Sequence, residues 1–420
     1  MTELVALTQR ELKRAQILGF VVEGHLSLKE AAEQLSISVR QARRLVRRYE
    51  ENGAEGLAHG NRGRGAPNQI SEEVRSRILS LVETKYTGFN DTHLHEVLCE
   101  HEGFELGRET LRRLLREAGI GPKRRRRSRK HRRRRTPRSQ RGMMIQWDGS
   151  PHRWLGPTGP WCVLMAAVDD SDGKIQSAVF VESETSAAYL RLLDGVLGRA
   201  GIPQSIYQDR HSALRRNDGH WSLSEQLSGE QDPTQVGAVL KDLSIRPIFA
   251  RSPQGKGRIE RFFGVAQDRL CAELSHRKIQ TLEAANRYLR EEWMSSYNRK
   301  FGRAPREMQS AYRNLVGVDR HKTITFRYSR VVASDNTVTL GSLSIQIPPG
   351  PRRRSYAKAK VDVRQHLDGS WSVYYQDQRI AQHEPTPFEG PERHRIKTRR
   401  SRPAKGASES VELYWPGESL

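Results

Sequence analysis

The chain has 420 residues, with 72 Lys and Arg against 49 Asp and Glu, a formal net charge of +23. That length suggests two to four domains, and that charge favours a polyanionic partner, nucleic acid first, because phosphate contacts release condensed counterions. Three widely spaced cysteines form no disulfide framework or zinc cluster, there is no bilayer-length apolar run, and MTELVALTQRELKR is too polar for a secretory signal, so a cytoplasmic, nucleoid-associated protein is expected.

From the N-terminus the pattern is helical. Residues 8–23 place Leu12, Ala15, Ile17, Leu18 and Val22 near one stripe. Ser27 followed by Glu30 is a capping-box pattern for a short helix from Leu28. Ser36-Ile37-Ser38 forms a turn, and Ser38 caps a third, Arg-rich helix from Val39 to about Tyr49. This is the order and size of a helix-turn-helix over residues 1–52. Arg40, Gln41, Arg43, Arg44 and Arg47 are its candidate DNA contacts. Residues 53–69, rich in Gly and basic residues, read as a linker.

A second helix-turn-helix-like domain is expected over residues 70–120. Ser71 caps its first helix and Asp91 its second, and the third runs from Arg108 to Ala118 with Arg112 and Arg113 as candidate DNA contacts. A basic linker, 121–142, follows. Within it residues 123–141 hold thirteen Lys or Arg and no acid, so without this run the balance is 59 against 49, or +10. The run should be extended and touch phosphates, with Arg124, Arg125, Arg126 and Arg127 among the contacts.

Residues 143–315 change character. Strand-like runs 143–148, 161–170 and 174–182 precede a helix at 186–200, a strand at 205–209, a polar irregular stretch at 210–232, a helix at 234–243, a strand at 244–250 and a long helix at 255–274. That order predicts an α/β core around one mixed sheet. A further helix spans 281–298, and Pro305 opens a short one. Residues 320–385 read as short strands of a small β-barrel, and 386–420 as a disordered tail. The fold class is therefore multidomain: all-α helix-turn-helix units, an α/β core and a C-terminal β-barrel.

Three acids stand out in the core. Asp148 ends the first predicted strand, Asp209 ends the fourth, and Glu260 lies early in the long helix, whose stripe of Ile259, Phe262, Phe263 and Ala266 faces the sheet. Converging carboxylates are costly unless a cation neutralises them. Mg2+, with Mn2+ as an alternative, suits oxygen ligands and phosphate substrates, and two ions would clamp a phosphoryl displacement. Lys256 and Arg258, in the glycine-rich lead to Glu260, are candidate phosphate contacts. Asp169 and Asp170 rival Asp148, and Glu225 and Glu230 rival Glu260.

From Gln146 to Arg261 the chain resembles the catalytic core shared by retroviral integrases and DDE-type bacterial insertion-sequence transposases. The matching pieces are Trp147-Asp148-Gly149-Ser150, Tyr207-Gln208-Asp209-Arg210 and Ser252-Pro253-Gln254-Gly255-Lys256-Gly257-Arg258-Ile259-Glu260-Arg261-Phe262, with Tyr297-Asn298 and Pro305 beyond. The resemblance implies an RNase H-like core and a catalytic, metal-binding triad of Asp148, Asp209 and Glu260. It also implies binding of transposon ends and target DNA, metal-dependent 3′-end cleavage and strand transfer, and a homodimer or higher assembly. Fifty residues separate Asp209 from Glu260, against about thirty-five in the family, with the excess in 210–232. Alternatives are a non-catalytic DNA-binding regulator and a metal nuclease that cuts without joining.

Overall fold

The computed structural model describes residues 7–58, 70–123, 135–216, 219, 221–250, 253–341, 343–350 and 354–386. The candidate contacts Arg124, Arg125, Arg126 and Arg127 and the tail beyond 386 lie outside the described residues. The chain divides into two compact units, Met1–Ile78 and Leu79–Leu420.

The first unit holds α1 (Gln9–Val22), α2 (Leu28–Gln34) and α3 (Val39–Asn52). Each start is fixed locally. Thr8 and Ser27 form capping boxes with Glu11 and Glu30, and the Ser38 hydroxyl accepts from the Gln41 N–H. Ser36, at φ 51°, turns the chain between α2 and α3. The core is small: Ile17, Leu18, Ala31, Ala32, Ala42 and Leu57 are buried. Leu12 and Val22, expected on the inner stripe, are about half exposed at 51% and 47%. The apolar face of α1 is narrower than its composition suggests: of that stripe only Ile17 and Leu18 are buried.

The helix α4 (Glu72–Thr84) crosses the division, and α5 (Asp91–Glu100) and α6 (Arg108–Glu117) follow it. Asn90, rather than the expected Asp91, caps α5, accepting from the N–H groups of Thr92 and His93. Asp91 pairs instead with Arg116 of α6.

The central sheet is built from β1 (Ile145–His152), β2 (Cys162–Asp169), β3 (Ile175–Val181), then α7 (Ser186–Ala200), β4 (Ser205–Gln208), α8 (Leu223–Ser228), α9 (Gln235–Asp242) and β5 (Arg246–Phe249). The strand order is β3-β2-β1-β4-β5. β1, β2 and β3 pair antiparallel, and β4 and β5 are added parallel to β1. This is the RNase H-like arrangement. Side chains alternate with the period of a strand. Ile145, Trp147, Val163, Met165 and Ala167 face α7 and α9. Leu164, Ala166, Val168, Ile175 and Ala178 face the other layer, together with Ile259, Phe262, Phe263, Ala266 and Leu270 of α10 (Gly257–His276).

That second layer is completed by α11 (Leu282–Tyr288) and α12 (Met294–Phe301), joined through a π-helical turn, Leu289–Trp293. Two amides on this helix cover the open edge of β3. Asn286 pairs with both the N–H and C=O of Phe180, and Asn298 with both groups of Ile175. In a regular helix two residues twelve apart point about 120° away from each other. The extra residue of a π-turn removes roughly 100° of that difference and lets both face β3. No helix starts at Pro305. The chain beyond Gly302 instead runs along the sheet, hydrogen-bonding Asp172, Ser139, Arg141 and Ile202.

The α5–α6 pair rests on α10 within the same unit. Arg269 makes a two-pronged contact with Glu96 at 2.6 and 3.0 Å, and Lys300 adds 3.0 Å to Glu96. Buried His93 lies 3.0 Å from Glu273, and Asn90 donates to Asp268, which also pairs with Lys123 at 3.1 Å. The basic run is likewise not wholly free. Arg135 pairs with buried Asp170, Arg141 with buried Asp172 at 3.2 Å, and the Arg138 N–H donates to Asp170. Acids at the β2–β3 turn thus dock the end of the run that was expected to be extended linker.

After a single turn, α13 (Arg320–Thr323), come β6 (Thr325–Val331), β7 (Thr337–Leu340), β8 (Leu343–Gln346), β9 (Lys360–His366), β10 (Trp371–Tyr375) and β11 (Gln378–His383). The expected barrel appears as a four-stranded antiparallel sheet, β11-β10-β9-β6, and a separate β7–β8 hairpin. The hairpin lies beside β6 and β11, and the two share a core that includes Phe326, Val338, Ile345, Val363 and Val373. No continuous ladder closes around them among the described residues. Gln235 of α9 fastens this sheet to the core by pairing with both backbone groups of Arg327.

Candidate active site

β1 pairs with β2 along its whole length but with β4 only at Ile145 and Gln146. Asp148 is therefore mid-strand, not strand-terminal as expected. It emerges where β4 stops, and Asp209 follows β4 directly. A third acid joins them. Glu184, between β3 and α7, has a carboxylate oxygen that lies with those of Asp148 and Asp209 within 4.8 Å of one another. Topology explains the meeting: β3 runs parallel to β1 and β4, so all three carry their C-terminal ends to one edge.

The ammonium of Lys256 sits against this group, 3.1 Å from Asp148 and 3.4 Å from Asp209. It was expected to face phosphates. Its turn is pinned from β1: the Gln146 amide donates to the Gly255 C=O at 3.3 Å and accepts from the Ile259 N–H at 3.2 Å. Gly255 is required here, because a Cβ would lie 1.9 Å from the Tyr207 hydroxyl. Further along, Gln267 donates to Ser150. The start of α10 is thus tied to the strand that carries Asp148.

Burial pushes the Asp148 carboxyl above its ordinary value. Lys256 counteracts this, while Asp209 and Glu184 add to the rise. A second cation would relieve the same repulsion. The donors are all carboxylate oxygens, the set a hard divalent ion takes, so the residues present fit such an ion.

Glu260 lies in the first turn of α10, exposed and outside the three-acid group. The rivals have other work. Asp169 accepts from Gly142, Ser171 and Tyr312, and Asp170 from Arg135, Arg138 and Gln146. Glu225 closes the capping box of α8, taking bonds from Ser222, Asp232 and Arg216. Glu184 was missed, although an acid just after a strand was the signal that singled out Asp148 and Asp209.

The candidate DNA contacts of α3, Arg40, Gln41, Arg43, Arg44 and Arg47, are all exposed, and Arg47 also pairs with Glu51. Arg112 and Arg113 are exposed on α6, with Arg112 held by Glu109. Arg258 is partly buried, and burial lowers its pKa, with Arg303, Arg135 and Arg261 as positive neighbours. The acid near Arg258 is Asp170, which Arg135 also contacts.

Residues 13–66 match a helix-turn-helix domain and residues 41–115 a homeodomain-like domain. A protein of Sinorhizobium fredii named as transposase y4bF is 32% identical over 397 residues, covering 90% of this chain and 84% of its own. The chain belongs to the insertion-sequence transposases. The transposase for insertion sequence IS1202 of Streptococcus pneumoniae is 31% identical over 330 residues, 70% of this chain and 68% of that one. Among solved structures, a simian T-cell lymphotropic virus intasome matches with 16% identity over 72% of this chain and 96% of that one, at a TM-score of 0.30. The HTLV-2 integrase catalytic core domain in complex with magnesium matches with 17% identity over 37% and 92%, at 0.25. The transposase carries no described helix long and apolar enough to cross a membrane.

Proposed function

We propose that this DNA transposase reads its transposon ends through α3 and α6, cuts the 3′ ends with Asp148, Asp209 and Glu260, and joins the freed hydroxyl to target DNA. The observation that carries the reading is the pairing of Asp148 and Asp209 at one sheet edge around the Lys256 ammonium. Bound divalent ions, Mg2+ in preference to Mn2+ and two per site, would activate the attacking oxygen and stabilise the leaving one. Asp148 must be ionised to hold a cation, and Lys256 favours that form. Lys256 and Arg258 hold phosphates beside the acids. Gln146 keeps the start of α10, and with it Glu260, in register with β1.

Two ends must be brought together for joining, so at least a homodimer on DNA is expected. The test is cleavage and strand transfer on labelled transposon ends with Mg2+. Asp148→Asn, Asp209→Asn and Glu260→Gln should each abolish both steps and leave end binding intact. Cleavage without any joined product would favour the nuclease reading.

A further inference from the structure

The geometry points to Glu184 as a further metal-site residue, a carboxylate that completes the cation pocket with Asp148 and Asp209. This rests on the proposed function of that same site. The first observation is the three-way approach of the carboxylate oxygens. The second is that a cation already sits there: the ammonium of Lys256, a side chain only 13% exposed, contacts two of the three acids. One ammonium cannot balance three carboxylates, so the pocket retains net negative charge and suits a small divalent ion.

Glu184 is also held in place. The hydroxyl of fully buried Tyr189 donates to one of its oxygens. The other oxygen occupies space that Gly149 leaves open, since a Cβ there would come within 2.8 Å of it. A surface acid without a role needs neither a buried donor nor a glycine opposite. Support of this kind fixes which oxygen faces a metal.

The test uses the full-length protein and Mn2+ alone, with free Mn2+ followed by electron paramagnetic resonance. Glu184→Gln and Asp148→Asn should each weaken Mn2+ binding roughly tenfold or more, and Tyr189→Phe several-fold, in line with the effect of groups surrounding metal sites. Wild-type affinity in Glu184→Gln beside a weakened Asp148→Asn would overturn the role of Glu184 and leave the proposed function standing. Wild-type affinity in both would remove the metal site and the inference together. Should Glu184→Gln fail to fold, Tyr189→Phe decides, because it keeps the carboxylate and the ring: unchanged affinity there overturns the inference.

Discussion

Lys256 and the acids it touches make the residue scale specific. Its ammonium lies 3.1 Å from Asp148 and 3.4 Å from Asp209, among the oxygens that would hold a metal, so it would compete with one for them. Lys256→Gln is expected to tighten Mn2+ binding several-fold while lowering DNA cleavage, measured by titration and by end cleavage on the same preparation. Looser Mn2+ binding would mean that Lys256 organises the acids instead of competing for them. The pH dependence has a definite sign. Burial raises the Asp148 carboxyl, so metal loading and cleavage should rise with pH through a value above the usual Asp range. Removing Lys256 takes away the group that opposes this rise, and should move that limb to still higher pH. A limb that stays put, or moves down, would show that another group governs it.

At the scale of elements, side-chain amides close what the backbone leaves open. Asn298 and Asn286 satisfy four groups on the edge of β3. Asn298→Ala strands an N–H and a C=O and should cost about 2–3 kcal/mol in urea unfolding; a cost under about 0.5 kcal/mol would mean that water replaces the amide. The docking of α5 on α10 is electrostatic. Burial alone would raise the Glu96 carboxyl, but bonds from Arg269 and Lys300 outweigh it and hold it at about 2. A folded value below the ordinary 4.5 gives stability that is full above that pH and is lost as pH falls toward 2. Glu96→Gln should therefore destabilise the protein at pH 7 and narrow its gap to wild type at pH 3. An equal gap at both pH values would exclude the ion pairs as the cause.

For the whole molecule, the basic run divides its labour. Lys123, Arg135 and Arg141 are engaged by acids of the same unit. The sequence between Lys123 and Arg135, 124–134, retains eight Arg and one Lys for phosphates. Replacing those nine by Ser or Gln should lower the slope of log affinity against log salt by several units, at about 0.9 per duplex phosphate contact, with base preference unchanged. Equal slopes would make the run a spacer. Removal of residues 1–58 should weaken and shorten the footprint on transposon ends, leaving the part read by α6, and spare metal-dependent cutting of nonspecific DNA. A cut further along would confuse the test, because α5 and α6 also brace α10.

Local signals were strong where one residue satisfies one neighbour. The capping serines, the alternation in β1 to β3 and the stripe of α10 were legible because caps and periodicity act over a few residues. The same holds for Asp148, Asp209 and the glycine-rich turn before α10. Local signals failed where pairing is long-range. The hairpin between β10 and β11 turns at Gln376 and Asp377, both at positive φ, without the usual Gly, so no turn residue marks the break between the two strands. The α8 capping box, Ser222 with Glu225, lies inside the polar stretch 210–232, whose composition predicts no element. Glu184 joins the site only because β3 returns parallel to β1 two strands away, and Arg135 and Arg141 leave the linker only because buried acids await them at the β2–β3 turn. The sequence by itself determined the elements, the basic character and two of the clustered acids. Tertiary structure alone decided which third carboxylate meets them and which cation neutralises them, because charge interactions depend on distance in space, and strand order sets that distance.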